Sequence, residues 1–394
     1  MKAQIIYLTS ELHDPKRIEE QSARFLSMIQ QYTDVILTNE QAHLQLFYVR
    51  TGGAENIYLQ QYAKANEGKK VYLLTSGENN SLAASMEILS YINLSGGKGE
   101  ILHGTAEYIG RRITEIAVVE QAFQRLDGQK IGIIGNPSDW LIASVFDPKA
   151  IKRKIGVDTE YIPMDELLKI YSSLSAPSAA TVARLKPCES PYFNDALRLY
   201  DALKLLIARH RLTAITLRCF DLLTAIRNTG CLSLALLNAE GICASCEGDV
   251  PTLLTMMIAR ALTGQSGFQA NPSRINPETG ELLFAHCTVP IDMVRQYQYD
   301  THFESGIGVA LHGELQEGDT TLMKVSGDLT RCFAQDLQLV RNQYEQNLCR
   351  TQVVLLAPLS TPAYFFSQPI ANHHLIVNGH WQKLVESFMS AIAQ

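Results

Sequence analysis

The sequence lacks the long apolar runs and the one-sided charge that mark membrane and nucleic-acid proteins. No stretch approaches the roughly 18 apolar residues needed to span a bilayer, and the apolar run near Met1 is too short for a secretory signal peptide. The formal net charge is −6, and the densest basic cluster is Lys152–Lys154, which gives no electrostatic footprint for nucleic acid. We therefore expect a cytoplasmic protein with neither nucleic-acid nor membrane partners.

Metal-binding cysteine motifs are also scarce. Of the eight cysteines, Cys243 and Cys246 have a C-x-x-C spacing, but no second pair completes a zinc site. In an intracellular chain of this size, cysteines are expected to be reduced thiols that behave as small buried hydrophobic residues.

No nucleotide-binding fingerprint is present. The turn Gly135–Ser138 follows a strand-like run, but it has neither the three glycines of a dinucleotide-binding loop nor the lysine of a P-loop. The segment is more typical of a structural turn, with a helix beginning near Asp139. This makes a nucleotide-dependent enzyme the weakest of the functional hypotheses.

What is present is enough apolar sequence for several domains. The chain has 394 residues, of which 46% are hydrophobic and 19% charged, so two or three domains are expected. Ala3–Ser10 is typical of a buried strand, and Pro15–Tyr32 has the apolar spacing of a helix. Further strand-like runs alternate with amphipathic stretches as far as Gly264, a pattern typical of parallel sheets covered by helices.

After Gly264 the pattern changes to short β runs separated by Gly, Pro and acidic turns. This texture favours an antiparallel domain that ends in a helix over Gln382–Ala393. The predicted fold is two doubly wound α/β domains, residues 1–126 and 127–264, followed by a β-rich, barrel-like domain over residues 265–394.

Ionisable groups concentrate in apolar surroundings near Glu247. Asp249 and His286 follow it, and the pair His373–His374 lies near the C-terminus. Such groups are costly to bury unless they are paired, hydrogen-bonded or metal-bound, and this mixture of oxygen and nitrogen ligands suits Mn²⁺ or Mg²⁺. The alternatives are acids at a helix N-terminus and a core histidine. Since side chains alternate across a strand, one histidine of the pair can face the site.

Several blocks together resemble one family. They are RCFDLL, TGCLSLALLNAEGICASCEGDVPTLLTMMIARALTG, FQANPSRIN, LFAHCTVP, SDWLIAS, THFESGIGVALHGEL and NHHLIVNGHW. This combination resembles the L-fucose isomerase and L-arabinose isomerase superfamily, and within it the shorter L-fucose isomerase-like branch. The resemblance implies two α/β domains and a β-rich domain, an Mn²⁺-dependent aldose–ketose isomerisation through an enediol, and a homo-oligomer whose active site lies near a subunit contact.

The resemblance also implies roles for individual residues. Glu247 matches a metal-binding carboxylate that serves as an acid or base, and His286 matches a histidine ligand. One of His373 and His374 matches a C-terminal histidine ligand, and we assign His374 to the metal. Asp249 is a candidate catalytic residue that orients the site, or an ordinary acid of the first helical turn.

The chain departs from the family at the second carboxylate. Asn271 and Asn276 stand where an acid is expected, and the nearest acids, Glu278 and Glu281, lie in an apparent turn. An amide oxygen can bind a hard cation, so Asn271 is a candidate metal ligand, but an amide cannot take a proton from carbon.

Four residues are candidates for substrate binding. Arg218 could bind a sugar oxygen or an anion, or could pair at a strand end, and Trp140 could stack on a sugar or pack its domain. Glu55 and Asn80 lie in polar turns that follow predicted strands, where open α/β sheets place ligands.

These observations predict a sugar isomerase that uses Mn²⁺, or Mg²⁺ or Co²⁺. The alternative is a non-catalytic sugar-binding or regulatory relative that has lost the second carboxylate.

Overall fold

The structure is a computed structural model that describes residues 1–392. The chain divides into two compact units, one formed by residues 1–121 together with the segment from Ser390, and the other by residues 122–389. No described helix is both long and apolar enough to cross a lipid bilayer.

The first unit is built on a five-stranded parallel sheet. Its strands are β1 (Lys2–Leu8), β2 (Ile36–Thr38), β3 (Leu44–Val49), β4 (Lys70–Leu74) and β5 (Lys98–Leu102). Its helices are α1 (Pro15–Gln30), α2 (Glu55–Gln61), α3 (Ser81–Leu94) and α4 (Ala106–Leu126), of which α4 continues into the second unit. The strand order is β2-β1-β3-β4-β5, and α1 and α4 pack on one face while α2 and α3 pack on the other. The unit is therefore doubly wound, as predicted.

Two polar turns meet at the carboxyl edge of this sheet. The Gly52 amide donates to the Asn79 carbonyl at 2.7 Å, and Asn79 and Asn80 both have a positive φ. A Cβ at position 52 would lie 3.1 Å from the Asn80 Cβ, so the close approach of the two turns favours a glycine there.

The second unit begins with a four-stranded parallel sheet. Its strands are β6 (Lys130–Ile134), β7 (Asp158–Ile162), β8 (Ala214–Leu217) and β9 (Cys243–Cys246), in the order β7-β6-β8-β9. Its helices are α5 (Pro148–Ile155), α6 (Met164–Ser173), α7 (Ala179–Ala183), α8 (Phe193–His210), α9 (Asp221–Ala225), α10 (Cys231–Ala239) and α11 (Val250–Thr263).

The rest of the second unit is a closed antiparallel barrel with a hairpin beside it. The strands are β10 (Phe268–Ile275), β11 (Glu281–His286), β12 (Val294–Asp300), β13 (Ala310–Leu315), β14 (Gly318–Val325), β15 (Cys332–Gln343), β16 (Thr351–Leu356) and β17 (His374–Asn378). The barrel order is β10-β11-β16-β15-β14-β17, and β12 pairs with β13. Helices α12 (Pro362–Ser367) and α13 (Gln382–Ala391) complete the unit.

One apolar core runs through the second unit. It includes Leu203 of α8, Ile215 of β8 and the barrel residues Phe268, Phe284 and Ile376, all fully buried or nearly so. The parallel α/β layers and the C-terminal barrel confirm the predicted fold class. The predicted domain limits of 126 and 264 stay predictions.

One predicted helix start is wrong. No helix begins near Asp139, and the chain instead runs through turns until α5 begins at Pro148. The physical reason is the stronger start signal at Asp147, whose carboxylate accepts from the Lys149 amide at 2.9 Å just before a proline in the first helical turn. The predicted closing helix is present as far as Ala391, and its predicted last residue, Ala393, lies outside the described residues.

Candidate active site

Glu247 occupies a sharp turn between β9 and α11. Its φ is +66° and that of Gly248 is +73°, and a left-handed glutamate costs free energy on the order of 1–3 kcal/mol. A Cβ at position 248 would lie 2.7 Å from the Pro137 Cα, so this turn needs a glycine. The Ser138 amide donates to the Glu247 carbonyl at 2.9 Å, which fixes the turn against the end of β6. The surrounding structure therefore holds the Glu247 backbone in a strained left-handed conformation, which fixes the place of its side chain.

Two histidines meet this carboxylate. His286 ends β11, and His373 immediately precedes β17. Their rings lie edge to face with centroids 5.4 Å apart. The candidate ligand atoms of Glu247, His286 and His373 all lie within 4.8 Å of one another, and all three residues are buried. Within residues 1–392, these three residues form the one group of three or more His, Cys, Asp or Glu side chains that could hold a metal ion. We call it the Glu247 cluster.

A fully buried carboxylate supports His373 from behind. His373 Nδ1 lies 2.9 Å from Asp249 Oδ2, and its Nε2 lies 3.4 Å from Glu247 Oε1. Asp249 also caps α11, since its Oδ1 accepts from the Thr252 amide at 2.8 Å. The Lys324 ammonium of β14 lies 3.6 Å from Asp249 Oδ2, and both side chains are wholly buried. The predicted orienting role of Asp249 therefore has a geometric basis.

The charges of the cluster control one another. Burial alone would raise the pKa of Glu247, but the neighbouring His373 imidazole outweighs burial and holds that pKa below its usual value. Burial likewise opposes the charging of His373, but Asp249 and Glu247 raise its pKa to about 9. For His286, burial is the largest influence on the pKa and lowers it to about 4. The cluster thus combines an ionised carboxylate with one neutral imidazole and one imidazole that is held by two acids.

Aromatic side chains line one side of Glu247. Trp140 donates its indole N–H to Glu247 Oε2 at 2.6 Å. Phe220 meets the Trp140 ring edge-on at 4.8 Å and the ring of the buried His302 at 5.5 Å. Trp140 itself is 52% exposed, so an accessible aromatic surface adjoins the carboxylate. The structure gives Trp140 a direct bond to Glu247 that the sequence did not indicate.

The structure does not bring His374 into the cluster. Its Nε2 bonds the Tyr364 hydroxyl at 3.0 Å and its Nδ1 lies 3.0 Å from the Asn372 carbonyl, within an aromatic group that includes Phe284 and Phe333. Burial lowers its pKa to about 3. The structure thus places His373, and not His374, beside Glu247 and His286, because adjacent residues at the start of a strand face opposite sides. The identity of the metal ligand stays a prediction.

The two asparagines assigned to the missing carboxylate differ in their surroundings. Asn271 is half-buried on β10 and accepts from the Asn372 amide group at 3.3 Å. Asn276 is exposed and accepts from the Glu278 amide in a turn. Glu281 pairs with Arg341 at 2.6 Å on the surface. Any metal-binding role of Asn271 stays a prediction.

The remaining candidates occupy different places. Arg218 forms ion pairs with Asp221 at 2.9 Å and with Asp139 at 3.3 Å. This arrangement corresponds to the alternative in which Arg218 pairs at a strand end. Glu55 lies in the first turn of α2 and Asn80 precedes α3, both in the first unit. Their roles in substrate binding stay predictions.

The residues present fit a divalent first-row transition-metal ion. Imidazole suits such ions in general, and the carboxylate also suits Mn²⁺. His373 Nε2 is buried and makes no hydrogen bond of good geometry, although a carboxylate lies 3.4 Å away. With its Nδ1 bonded to Asp249, this nitrogen can bind a cation once its own proton is displaced, and a carboxylate on the other ring nitrogen is the usual arrangement of a histidine ligand.

Two further residues of this region were missed in the sequence. Gln269 of β10 is buried and accepts from the Cys246 amide at 2.9 Å, while its Nε2 has no partner. Lys324 lies in the otherwise apolar run TTLMKV. A polar or charged side chain inside a strand that is buried on both faces is the signal that could have identified both.

The predicted state of the cysteines is confirmed for the described chain, where all eight are free thiols and five are buried. Cys243 and Cys246 join no group of three or more metal-ligating side chains among residues 1–392. Both cysteines are buried at the two ends of strand β9.

Comparison with known proteins points to sugar isomerases. No protein-family model matches the sequence. The chain is similar to a sulfoquinovose isomerase of Priestia aryabhattai, with 21% identity over 223 residues that make up 53% of this chain and 50% of the relative. It is also similar to a sulfoquinovose isomerase of Clostridium sp. strain MSTE9, with 26% identity over 214 residues, 51% of this chain and 45% of that protein. The matches thus span about half the length of these curated relatives.

Proposed function

We propose that this protein is a metal-dependent sugar isomerase that interconverts an aldose and a ketose through an enediol. The observation that carries the proposal is the Glu247 cluster, in which a carboxylate and two imidazoles converge within 4.8 Å in a buried site. The similarity to sulfoquinovose isomerases supports the same reaction class.

Glu247, His286 and His373 would hold the ion. When bound, a divalent ion supplies positive charge that stabilises the negative charge developing on the sugar oxygens. Glu247 is ionised at neutral pH, because its pKa lies below the usual value. Its carboxylate can therefore take the proton from C2 of an aldose and return it to C1. The proton of the C2 hydroxyl passes to the C1 oxygen in the same isomerisation.

The other residues of the site position Glu247 and His373. The Trp140 indole N–H fixes Glu247 Oε2, and the exposed part of the ring offers a surface to the apolar face of a sugar. Asp249 fixes the orientation of the His373 ring and leaves Nε2 directed toward the carboxylate.

For the substrate, the relatives favour sulfoquinovose, and the family resemblance favours L-fucose or L-arabinose. A panel of these three sugars, incubated with Mn²⁺-loaded protein in D2O, tests the activity directly. Isomerisation incorporates deuterium at the carbon that receives the proton, and mass spectrometry of the recovered sugar detects it.

One observation keeps the non-catalytic alternative in view. Within residues 1–392 the cluster contains one carboxylate, and an isomerase that uses two acids would be incomplete. Binding of a sugar without deuterium exchange would favour this sugar-binding or regulatory function. Exchange that is lost in Glu247→Gln would establish the isomerase.

Metal binding is tested separately by Mn²⁺ titration calorimetry. Glu247→Gln and His373→Gln should each lower Mn²⁺ affinity by roughly tenfold or more, because the first replaces a charged ligand by a neutral amide and the second replaces an imidazole ligand. His374→Gln is the matched control, since it replaces the adjacent buried histidine, which lies in the aromatic group. Equal Mn²⁺ affinity of His373→Gln and the wild type would contradict the site.

A further inference from the structure

Lys324 is a wholly buried lysine on a strand of the barrel. Its side chain is 0% exposed, and its neighbours Met323 and Val325 are apolar and buried. An isolated ammonium in such surroundings is strongly unfavourable, so a buried lysine needs a compensating charge. The charge nearest to it is the carboxylate of Asp249, 3.6 Å away.

The lysine is held in place by contacts with α11. Its Nζ donates to Thr252 Oγ1 at 2.6 Å, and the same hydroxyl donates to Asp249 Oδ2 at 2.8 Å. The Val325 amide donates to Thr255 Oγ1 at 3.1 Å, which ties the strand to the helix beside Lys324. The ammonium is therefore held beside Asp249 Oδ2.

Asp249 in turn faces His373. The same oxygen, Oδ2, lies 2.9 Å from His373 Nδ1, and His373 Nε2 faces Glu247. A continuous buried chain thus leads from Lys324 through Asp249 and His373 to Glu247. Its order is cation, anion, imidazole, anion.

We propose that Lys324 is a positioning residue for the metal ligand His373, and that it acts by balancing the buried charge of Asp249. This inference rests on the proposed metal-dependent function and adds a residue of the barrel to its site. With Lys324 in place, Asp249 remains a fixed acceptor for His373 Nδ1, and Nε2 is held toward the metal position.

The reason for the role is the cost of an unbalanced charge. If the ammonium is removed, Asp249 becomes an uncompensated carboxylate in the core, and its geometry toward His373 is no longer favoured. If the carboxylate is removed instead, a buried cation is left near the position of a divalent cation. Either single change should weaken metal binding, and removal of both charges should restore it.

The test is a double-variant cycle with Mn²⁺ affinity as the readout, measured by titration calorimetry on the full chain. Lys324→Met keeps the length of the side chain without its charge. Asp249→Asn keeps an oxygen that accepts from His373 Nδ1 and from the Thr252 amide. We expect each single variant to bind Mn²⁺ at least tenfold more weakly than the wild type, and the double variant to recover to within about threefold.

Asp249→Asn also keeps the test decisive if Lys324→Met does not fold. The double variant carries neither buried charge and should then bind Mn²⁺ more tightly than Asp249→Asn alone. Circular dichroism at the titration temperature identifies the folded variants.

The outcomes separate the two proposals. Wild-type affinity in folded Lys324→Met, or a double variant that binds no better than either single variant, would overturn the role of Lys324 alone. Absence of Mn²⁺ binding by the wild type would overturn the proposed function and this inference with it.

Discussion

Trp140 combines an exposed ring with a short bond to a buried carboxylate. Half of its surface is exposed, while its N–H lies 2.6 Å from Glu247 Oε2. A hydrogen bond to an ionised acceptor contributes about 1.5–3 kcal/mol net, more than a neutral one. Trp140 therefore fixes the direction in which the Glu247 carboxylate presents its other oxygen.

Trp140→Phe should reduce turnover without unfolding the protein. The phenyl ring keeps the contact with Phe220 but cannot donate to Glu247, so we expect kcat/KM to fall about tenfold. Deuterium exchange into the sugar measures the change. Ile142→Ala is the control, because it alters an 87% exposed residue two positions along the same loop.

A turnover of Trp140→Phe equal to that of Ile142→Ala would contradict a positioning role for the indole N–H. Such a result would favour the alternative given in the sequence analysis, in which Trp140 packs its domain.

At the residue scale, the sequence predicted the chemistry better than the geometry. Glu247 and His286 were predicted as partners because both interrupt apolar runs, and they do meet. The sequence assigned His374 to the metal, whereas the structure places His373 in the cluster, because the choice depends on which side of the chain faces the cluster at the start of β17. Lys324 could not be assigned a partner, because Asp249 is remote in the sequence and approaches through the packing of α11 on β14.

Among the elements, α8 ends in a histidine that bridges two other elements. His210 Nδ1 lies 2.8 Å from Glu160 of β7, and its Nε2 lies 2.9 Å from Glu166 of α6. Lys130 and Arg209 also pair with these acids. The hydrogen bonds to Glu166 and Glu160 raise the pKa of His210.

His210→Gln should therefore destabilise the protein in a pH-dependent manner. A folded pKa above the unfolded value of about 6.5 means that the ion pairs stabilise the fold fully below pH 6.5, and that this stabilisation is lost as pH rises through the folded pKa. Because the site is partly exposed, we expect less than about 1 kcal/mol. Urea unfolding at pH 5.5 and pH 9 measures the difference between wild type and variant.

Arg209→Gln is the matched control. It removes a neighbouring partner of Glu166 whose charge does not titrate in this range, so its effect should be the same at both pH values. A pH-independent effect of His210→Gln would contradict the raised pKa.

Most elements were predictable because their patterns are local. Strand-like and helical spacing identified β1, α1 and the closing helix. The predicted helix near Asp139 does not form, because Asp147 and Pro148 provide a better start. Strands β12 and β15 have only a weak signal in the sequence, because polar residues interrupt their apolar pattern, for example in VRQYQYD.

At the scale of the whole molecule, the predicted homo-oligomer is still to be tested. We expect the turns Arg50–Glu55 and Ser76–Ser81 to contribute to the subunit contact. They lie together at one edge of the first sheet. Multi-angle light scattering should be run at two different protein concentrations in the micromolar range. We expect the mass of a multimer, and the same mass at both concentrations. A monomeric mass at both concentrations would contradict the prediction.

The architecture was predictable as a whole because the change of texture after Gly264 is strong. The alternating strand and helix patterns before Gly264 correspond to the two parallel sheets of the structure. The short β runs after Gly264 correspond to the barrel. The sequence predicted a barrel-like domain but not the strand pair that closes it. That pair is β17 with β10, which are far apart in the sequence.

Barrel closure has a consequence for how this protein can tolerate insertions and deletions. Strand β17 is hydrogen-bonded on both edges, to β10 and to β14, so it cannot slide by one residue without breaking two ladders. A slide of that size would replace His373 by His374 in the cluster. Changes of length between α12 and β17 should therefore be absorbed by the connecting loop. A substitution that opens the barrel at β10 or β14 would remove the histidine from the site while leaving every ligand residue in the sequence.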